Sequence, residues 1–424
     1  MERADNSAFE VLVIGAGPAG IAAACAAAES GARVGVVDDN PAAGGQIWRG
    51  GAEHPPSAQA SEWHGRLARA KVSFIYGAKV VAREAADVLV AETWDRTFKL
   101  KFAKLVLATG ARERFLPFPG WTLPGVMGAG GLQALVKSGL SVSGRRVVIA
   151  GSGPLLLAVA EYLLRAGANI ILIAEQAPAA QVRGFAARLL LHPAKLWQAI
   201  RLKRALGGVP YHFGMWPVSA GGAEKLEWLE LVRNGVNTRV ACDYLACGFH
   251  LVPNVELAEL LDCGIAGGFV RVNEMQETNQ QGIYCAGEPV GIGGVEAALI
   301  EGQIAGYAAT GNTANARTLF SDRAAARKFT GLLARTFALR DELRTLAAPE
   351  TLVCRCEDVS HARLQKYLDW RSAKLQTRCG MGACQGRVCG AAAEFVYGWR
   401  AESVRPPIFP ARVESLTASA AVKE

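Results

Sequence analysis

Aromatic residues make up only 8% of this 424-residue sequence. Its basic excess, 46 Lys and Arg against 38 Asp and Glu for a formal net charge of +8, is scattered rather than banded. A nucleic-acid surface needs a dense basic stripe with interleaved aromatics, so that class is excluded. The opening Met1-Glu2-Arg3-Ala4-Asp5 lacks a basic stretch followed by an apolar core, so no secretory leader is expected. A membrane span is also missing. The uncharged run 11–28 is long enough, but Gly15, Gly17, Pro18 and Gly20 would break a spanning helix early in the run. No Ser-His-Asp, paired-carboxylate or HExxH constellation occurs, and the six histidines are isolated. The chain carries no visible substrate chemistry of its own.

What is abundant is glycine, 47 residues, within a 51% hydrophobic composition. That suits an α/β nucleotide fold. Residues 9–14 read as a buried parallel strand, 19–30 as an alanine-rich helix stopped by Gly31, and 33–37 as the next strand, together a βαβ unit. Between the first strand and the helix stands Gly15-Ala16-Gly17-Pro18-Ala19-Gly20, a G-x-G-x-x-G turn, with Asp38 and Asp39 closing the second strand. Gly15 permits the tight turn, Gly17 lets backbone approach a pyrophosphate, and Gly20 lets helix and strand pack closely. The helix N-terminus offers free N–H groups and a positive dipole to phosphates. Asp38 can accept hydrogen bonds from ribose hydroxyls.

Residues 40–70 read as a loop leading into a short helix. Residues 72–90 alternate like antiparallel strands, and 98–108 read as further strands ending in Ala108-Thr109-Gly110. Near residue 145 the first pattern recurs, about 136 residues on: strand 146–150, turn Gly151-Ser152-Gly153, helix 155–165, strand 170–174. Leu156 replaces the third glycine and would push helix and strand apart, while Glu175 stands where an acid could hold a ribose. A working NAD(H) site, a structural remnant and a structurally held adenine nucleotide all remain open here. A strand at 282–286 follows, then Gly287-Glu288, then Gly291, Gly293 and Gly294 and a helix from about 295.

In flavoproteins with two dinucleotide domains, strand ends such as Thr109-Gly110 and Gly287-Glu288 return to the first turn and complete an FAD cradle. Glu288 stands where that group usually has Asp, one methylene shorter. Disulfide reductases of this architecture carry a redox C-x-x-x-x-C soon after the first βαβ unit. Here that stretch reads Ala43-Gly44-Gly45-Gln46-Ile47-Trp48, which excludes a flavin-linked disulfide.

Of ten cysteines, five are scattered and five crowd together: Cys354 and Cys356, then Cys379, Cys384 and Cys389. Clustering in a long chain points to a metal centre in a reducing compartment rather than a disulfide scaffold. Four thiolates hold a [2Fe-2S] cluster, two per iron; structural zinc is the alternative. Gly380, Gly382, Gly386 and Gly390 let backbone N–H groups turn toward the sulfurs, and Arg355 and Arg387 lie nearby.

The segment 353–359, Val-Cys-Arg-Cys-Glu-Asp-Val, with Thr377-Arg378-Cys379-Gly380-Met381-Gly382-Ala383-Cys384-Gln385-Gly386-Arg387-Val388-Cys389-Gly390, resembles the bacterioferritin-associated-ferredoxin-like domain. The first 310 residues, with Gly44-Gly45-Gln46-Ile47 after Asp38, resemble the α subunit of heteromeric amino-acid dehydrogenases. That group includes octopine and nopaline oxidases, D-hydroxyproline and dye-linked proline dehydrogenases, hydrogen cyanide synthase and sarcosine oxidase.

The resemblance implies a glutathione-reductase-like α/β fold plus a small helical C-terminal [2Fe-2S] domain. It implies FAD contacts from Gly15, Gly17, Pro18, Ala19, Gly20, Asp38, Asp39, Gly45, Gln46, Thr109, Gly110, Gly287, Glu288 and Gly294. The cluster ligands it implies are Cys354, Cys356, Cys384 and Cys389, with Cys379 the spare thiol. It implies a β flavoprotein of the D-amino-acid-oxidase-like type that oxidises a secondary amine or imino acid, and it admits an interface FMN and a small γ [2Fe-2S] subunit. The expected location is cytoplasmic, with a peripheral inner-membrane position through the electron acceptor also compatible. Expected domains are 1–118 and 246–312 for FAD, 119–245 for the second dinucleotide-like fold, a helical connector 313–348, the [2Fe-2S] domain 349–395 and an extended tail 396–424. Rival readings are a stand-alone NAD(P)H-linked flavin and iron–sulfur oxidoreductase and a nucleotide-binding scaffold subunit.

Overall fold

Strand β1 (Ser7–Ile14) is apolar along its core, with Val11, Leu12 and Val13 at most 1% exposed. This suits a strand covered on both faces of a parallel sheet. Gly15 turns the chain at φ +103°. Helix α1 (Pro18–Glu29) then starts with proline in its first turn, where a missing N–H costs nothing. Residues 19–27 of α1 are all buried because the helix Gly294–Ala309 crosses it closely. A Cβ at Gly302 would lie 2.2 Å from the Ala19 carbonyl oxygen, and one at Gly306 would lie 2.3 Å from that of Ala23.

The computed structural model describes residues 7–53, 55, 57–401 and 404–420. The chain forms two units. The first is Met1–Arg112 with Pro253–Thr330 and Glu402–Glu424; the second is Glu113–Val252 with Gly331–Ala401.

In the first unit, β1 is flanked by β2 (Val34–Asp38) and β6 (Thr97–Leu107), both parallel to it. Helix α2 (Ala58–Arg69) leads to β3 (Ser73–Tyr76). The hairpin β4 (Lys79–Ala85) and β5 (Val88–Glu92) continues the sheet antiparallel to β6. The strand Ile283–Cys285 adds to the other end of β6 in parallel. Two strand expectations change. β3 pairs parallel with β2, since a half-exposed edge strand alternates as an antiparallel one does. Residues 97–107 form one strand rather than several. The tail is extended only in part: residues 413–420 form a helix, tied down where Ser415 Oγ and the Arg412 N–H donate to Glu92 at 2.5 and 3.0 Å.

The second unit has a five-stranded parallel sheet ordered Tyr211–Phe213, Asn169–Glu175, Arg146–Gly151, Tyr244–Gly248, Val126–Gly128. A three-stranded antiparallel ribbon, Met215–Gly221, Trp228–Arg233 and Val236–Ala241, stands apart from it. The C-terminal part is built from a short strand pair and the helices His361–Leu364, Trp370–Thr377 and Cys389–Tyr397 around Trp370 and Trp399. Within the second unit it is tied to the dinucleotide-like fold through Trp121 Nε1, which donates to the Leu352 carbonyl at 2.6 Å, and Arg114, which donates to the Ala391 carbonyl at 3.1 Å. Leu156 does not push its helix away, because strand residue Gly248 has no side chain there; a Cβ on it would meet Leu156 at 2.9 Å. No described helix is long and apolar enough to cross a membrane.

Candidate functional site

The first glycine turn is closed behind and open in front. A Cβ on Gly15 would lie 2.2 Å from the Ala108 carbonyl oxygen, and one on Gly20 would lie 1.8 Å from that of Gly15. Gly17 caps α1 with φ −72°, no side chain caps the helix, and a Cβ there would meet nothing within 4 Å. The Gly44-Gly45 loop lies against it: the Gly44 N–H donates to Ala16 at 2.7 Å, and a Cβ on Gly45 would come within 2.9 Å of Gly17. Asp38 is buried and braces the turn. One of its oxygens accepts from the Ala16 N–H at 2.5 Å, the other from the Asn40 N–H and side chain at 2.7 Å each. Asp39 and Gln46 are exposed beside it.

The returning strand ends arrive at the same turn. Gly287, at φ +79°, packs on α1, where a Cβ would meet Ala19 at 2.8 Å. Its N–H donates to Glu301 at 3.1 Å, and Arg327 donates to the same carboxylate at 3.0 Å. One Glu288 oxygen accepts from Gly294 at 3.2 Å, at the start of the crossing helix; the other is buried with no partner among the described residues. Burial pushes this carboxyl up to about 7. Thr109 is committed elsewhere, its hydroxyl donating to the Asn254 carbonyl at 2.6 Å, while Gly110 borders open space. A turn that a Cβ would fill, free first-turn N–H groups and an orphaned carboxylate oxygen together fit a dinucleotide bearing a polyol chain.

The second turn repeats the backbone and not the opening. A Cβ on Gly151 would lie 2.2 Å from the Gly248 carbonyl oxygen, as on Gly15 in the first turn. Glu175 is fully buried, with its oxygens accepting from the Gly153 and Ala177 N–H groups at 2.6 and 2.8 Å; burial pushes it up to about 7. In front of Gly153 stands Phe337, its ring 3.7 Å from where a Cβ would be. The Phe337 carbonyl accepts from Ser152 Oγ at 2.8 Å and lies 2.7 Å from His250 Nε2. Gln176, Phe337 and His250 carried no signal in the sequence, because Ser152 and Phe337 are 185 residues apart and meet only through the fold.

The five C-terminal thiols converge. The sulfurs of Cys354, Cys379 and Cys389 lie within 4.8 Å of one another and are buried; those of Cys356 and Cys384 lie 3.7 Å apart at the exposed edge. Cys379 therefore sits inside the buried group with two of the four expected ligands. The thiols bond to one another, so hydrogen bonds from Cys379 and Cys389 hold Cys354 down to about 2, and Cys389 pulls Cys384 down to about 5. Backbone N–H groups of Gly380 and Glu357 reach Cys354, and those of Val388 and Gly386 reach Cys384. Gly382 admits Cys356, whose Cβ a side chain there would meet at 2.2 Å. A soft all-sulfur donor set with backbone donors fits a thiolate-bound iron–sulfur or zinc centre.

Residues 9–302 match the family described as pyridine nucleotide-disulphide oxidoreductase. An opine oxidase subunit from Agrobacterium tumefaciens (strain Ach5) is 31% identical, over 90% of this chain and 84% of its own length. Hydrogen cyanide synthase subunit HcnB of Pseudomonas aeruginosa is 30% identical, over 89% of this chain and 90% of its own. L-proline dehydrogenase from P. horikoshii shares the fold at TM-score 0.69 and 19% identity, over 98% of this chain and 81% of that one.

Proposed function

The chain belongs to the pyridine nucleotide-disulphide oxidoreductase family, and on that premise we propose that it is the electron-transferring α subunit of a heteromeric, FAD-dependent dehydrogenase oxidising an opine, proline-type or other secondary amino acid. The observation that carries the reading is one chain holding both an open dinucleotide turn and five converging thiols. Relatives named as subunits of opine oxidase and of hydrogen cyanide synthase support a multi-subunit enzyme acting on carbon–nitrogen bonds. In this reading a D-amino-acid-oxidase-like β flavoprotein removes the electrons from substrate. An FMN at the subunit interface and a small γ [2Fe-2S] subunit complete the assembly. All ten cysteines are free, in keeping with a cytoplasmic enzyme.

The residues divide the work. Gly17, Ala19 and Gly20 present backbone N–H groups at the start of α1 to a pyrophosphate, and Pro18, which has none, sets the first turn. Asp38 fixes the turn, leaving the ribose to exposed Asp39, with Gly45 and Gln46 beside it. Glu288 offers its orphaned oxygen to the ribityl hydroxyls, and Gly110, Gly287 and Gly294 keep backbone close. Thr109 acts through Asn254 by holding the strand end in position. When bound, FAD converts a two-electron input into single electrons, and a [2Fe-2S] cluster carries them one at a time. Cys354, Cys356, Cys384 and Cys389 would hold that cluster within residues 349–395, with Cys379 buried against it.

Serine substitution tests the centre. Cys384→Ser or Cys389→Ser is expected to abolish the iron–sulfur paramagnetic signal of the reduced protein, and Cys379→Ser to retain it. Loss in Cys379→Ser with Cys389→Ser unaffected would overturn the ligand set. Zinc in place of iron and sulfide would overturn the electron-transfer role.

A further inference from the structure

We propose that the second glycine turn is the socket for the chain's own residues 337–340, which anchor the thiol-bearing region, and that it takes no nucleotide. In a working turn of this type the second glycine faces the pyrophosphate, the acid at the next strand end faces a ribose, and the residue after it borders the ligand. Here all three positions face protein. Phe337, 5% exposed, covers Gly153 and is held in turn by an edge-on contact with Phe185, ring centroids 5.3 Å apart. Glu175 is fully buried, both its oxygens engaged by backbone.

Gln176, equally buried, bonds both to the turn, where Ser152 Oγ accepts from its Nε2 at 2.8 Å, and to the segment. Its Nε2 donates to the Ala338 carbonyl at 3.1 Å and to that of Phe337 at 3.4 Å, and its Oε1 accepts from the Arg340 N–H at 3.2 Å. Ser152 and His250 complete a ring of polar groups around the Phe337 carbonyl. The Arg340 guanidinium then lies over the Trp216 ring, 4.6 Å from its centroid. A carbonyl and an aromatic ring thus occupy the place of phosphate oxygens. Displacing them would leave the Gln176 Oε1 without its donor and the Ser152 hydroxyl proton without its acceptor unless a ligand matched both bonds.

The chain leaves the socket directly toward the thiols. Leu343 packs in the sheet core, Arg344 donates to the Phe395 carbonyl, and the strand Leu352–Cys354 begins eight residues after Arg344. The dinucleotide fold has become the footing of the thiol region. Electrons reaching the thiols then have no pyridine-nucleotide entry through this fold. The socket does not depend on a flavin at the first turn.

Hydrogen exchange on the full chain, with and without NADH at about 1 mM, provides the test, since that concentration fills a site of ordinary cofactor affinity. The Arg340 amide is expected to be protected, and NADH to leave it and the Gly153 and Ala177 amides unchanged. Gln176→Ala should speed Arg340 exchange roughly five- to tenfold while leaving the Ala16 and Gly44 amides as they were. If that variant does not fold, Ser152→Ala is the milder lesion and should speed exchange across 337–340 about twofold. An NADH response at Gly153 or Ala177, with the segment retained or displaced, would overturn the proposal, as would an unprotected Arg340 amide. A response confined to Ala19 and Gly20 would support the socket and count against the flavin reading instead.

Discussion

The two glycine turns of this chain share their backbone and differ in what stands in front of it. A Cβ on Gly17 would meet nothing within 4 Å; one on Gly153 would meet the Phe337 ring at 3.7 Å. Behind each turn a strand-end carbonyl, of Ala108 or Gly248, makes the first glycine obligatory, and a buried acid, Asp38 or Glu175, ties the turn to the next strand. Those shared features hold the fold together. The ligand-facing features part company: Asp39 is exposed beside Asp38, whereas Gln176 beside Glu175 is consumed by the chain's own segment. A glycine motif alone therefore reports architecture, and occupancy is decided by residues remote in sequence.

Three substitutions would break or sharpen this contrast. The largest effect belongs to Gly20→Ala. With a Cβ 1.8 Å from the Gly15 carbonyl oxygen, the turn must deform, at a cost on the order of 3–5 kcal/mol in denaturant unfolding. Near-normal stability would mean that helix and strand are not in contact there.

Second is the pH dependence of Glu175→Gln. Burial raises the Glu175 carboxyl from 4.5 to about 7 in the folded chain. Its stabilising contribution is therefore complete below about 4.5 and is lost as pH rises through about 7, whereas glutamine does not titrate. Relative to the variant, the wild type should lose up to about 3 kcal/mol between pH 4.5 and 8. Parallel stability curves would show that the carboxylate is charged and adequately solvated by its two N–H donors.

The smallest folding effect is expected for Gly17→Ala. Open space and an ordinary φ hold its cost within about 1 kcal/mol, yet the added methyl stands where a pyrophosphate must approach. Flavin content should fall severalfold in a protein that melts almost normally. A variant that retains full flavin would break the contrast with Gly153.

Much of this was legible in the sequence because it is local. Apolar strand, glycine turn and apolar helix lie within 30 residues in each unit, and the five thiols within 36, so patterning and spacing expose them. Leu156 misled because its partner, Gly248, lies on a strand more than 90 residues away. β3 misled because an edge strand in a parallel sheet alternates in burial. Asp38 and Asp39 are adjacent, and only the fold separates the brace from the exposed acid. Phe337 was illegible for the plainest reason: nothing in a helix-terminal phenylalanine says which glycine it will cover.

The most direct measurement is of the nucleotides released when the purified protein is heat-denatured. The account predicts about one equivalent of FAD per chain, from the open turn, and no nicotinamide nucleotide. Recovery of NAD(H) or NADP(H) without FAD would contradict it.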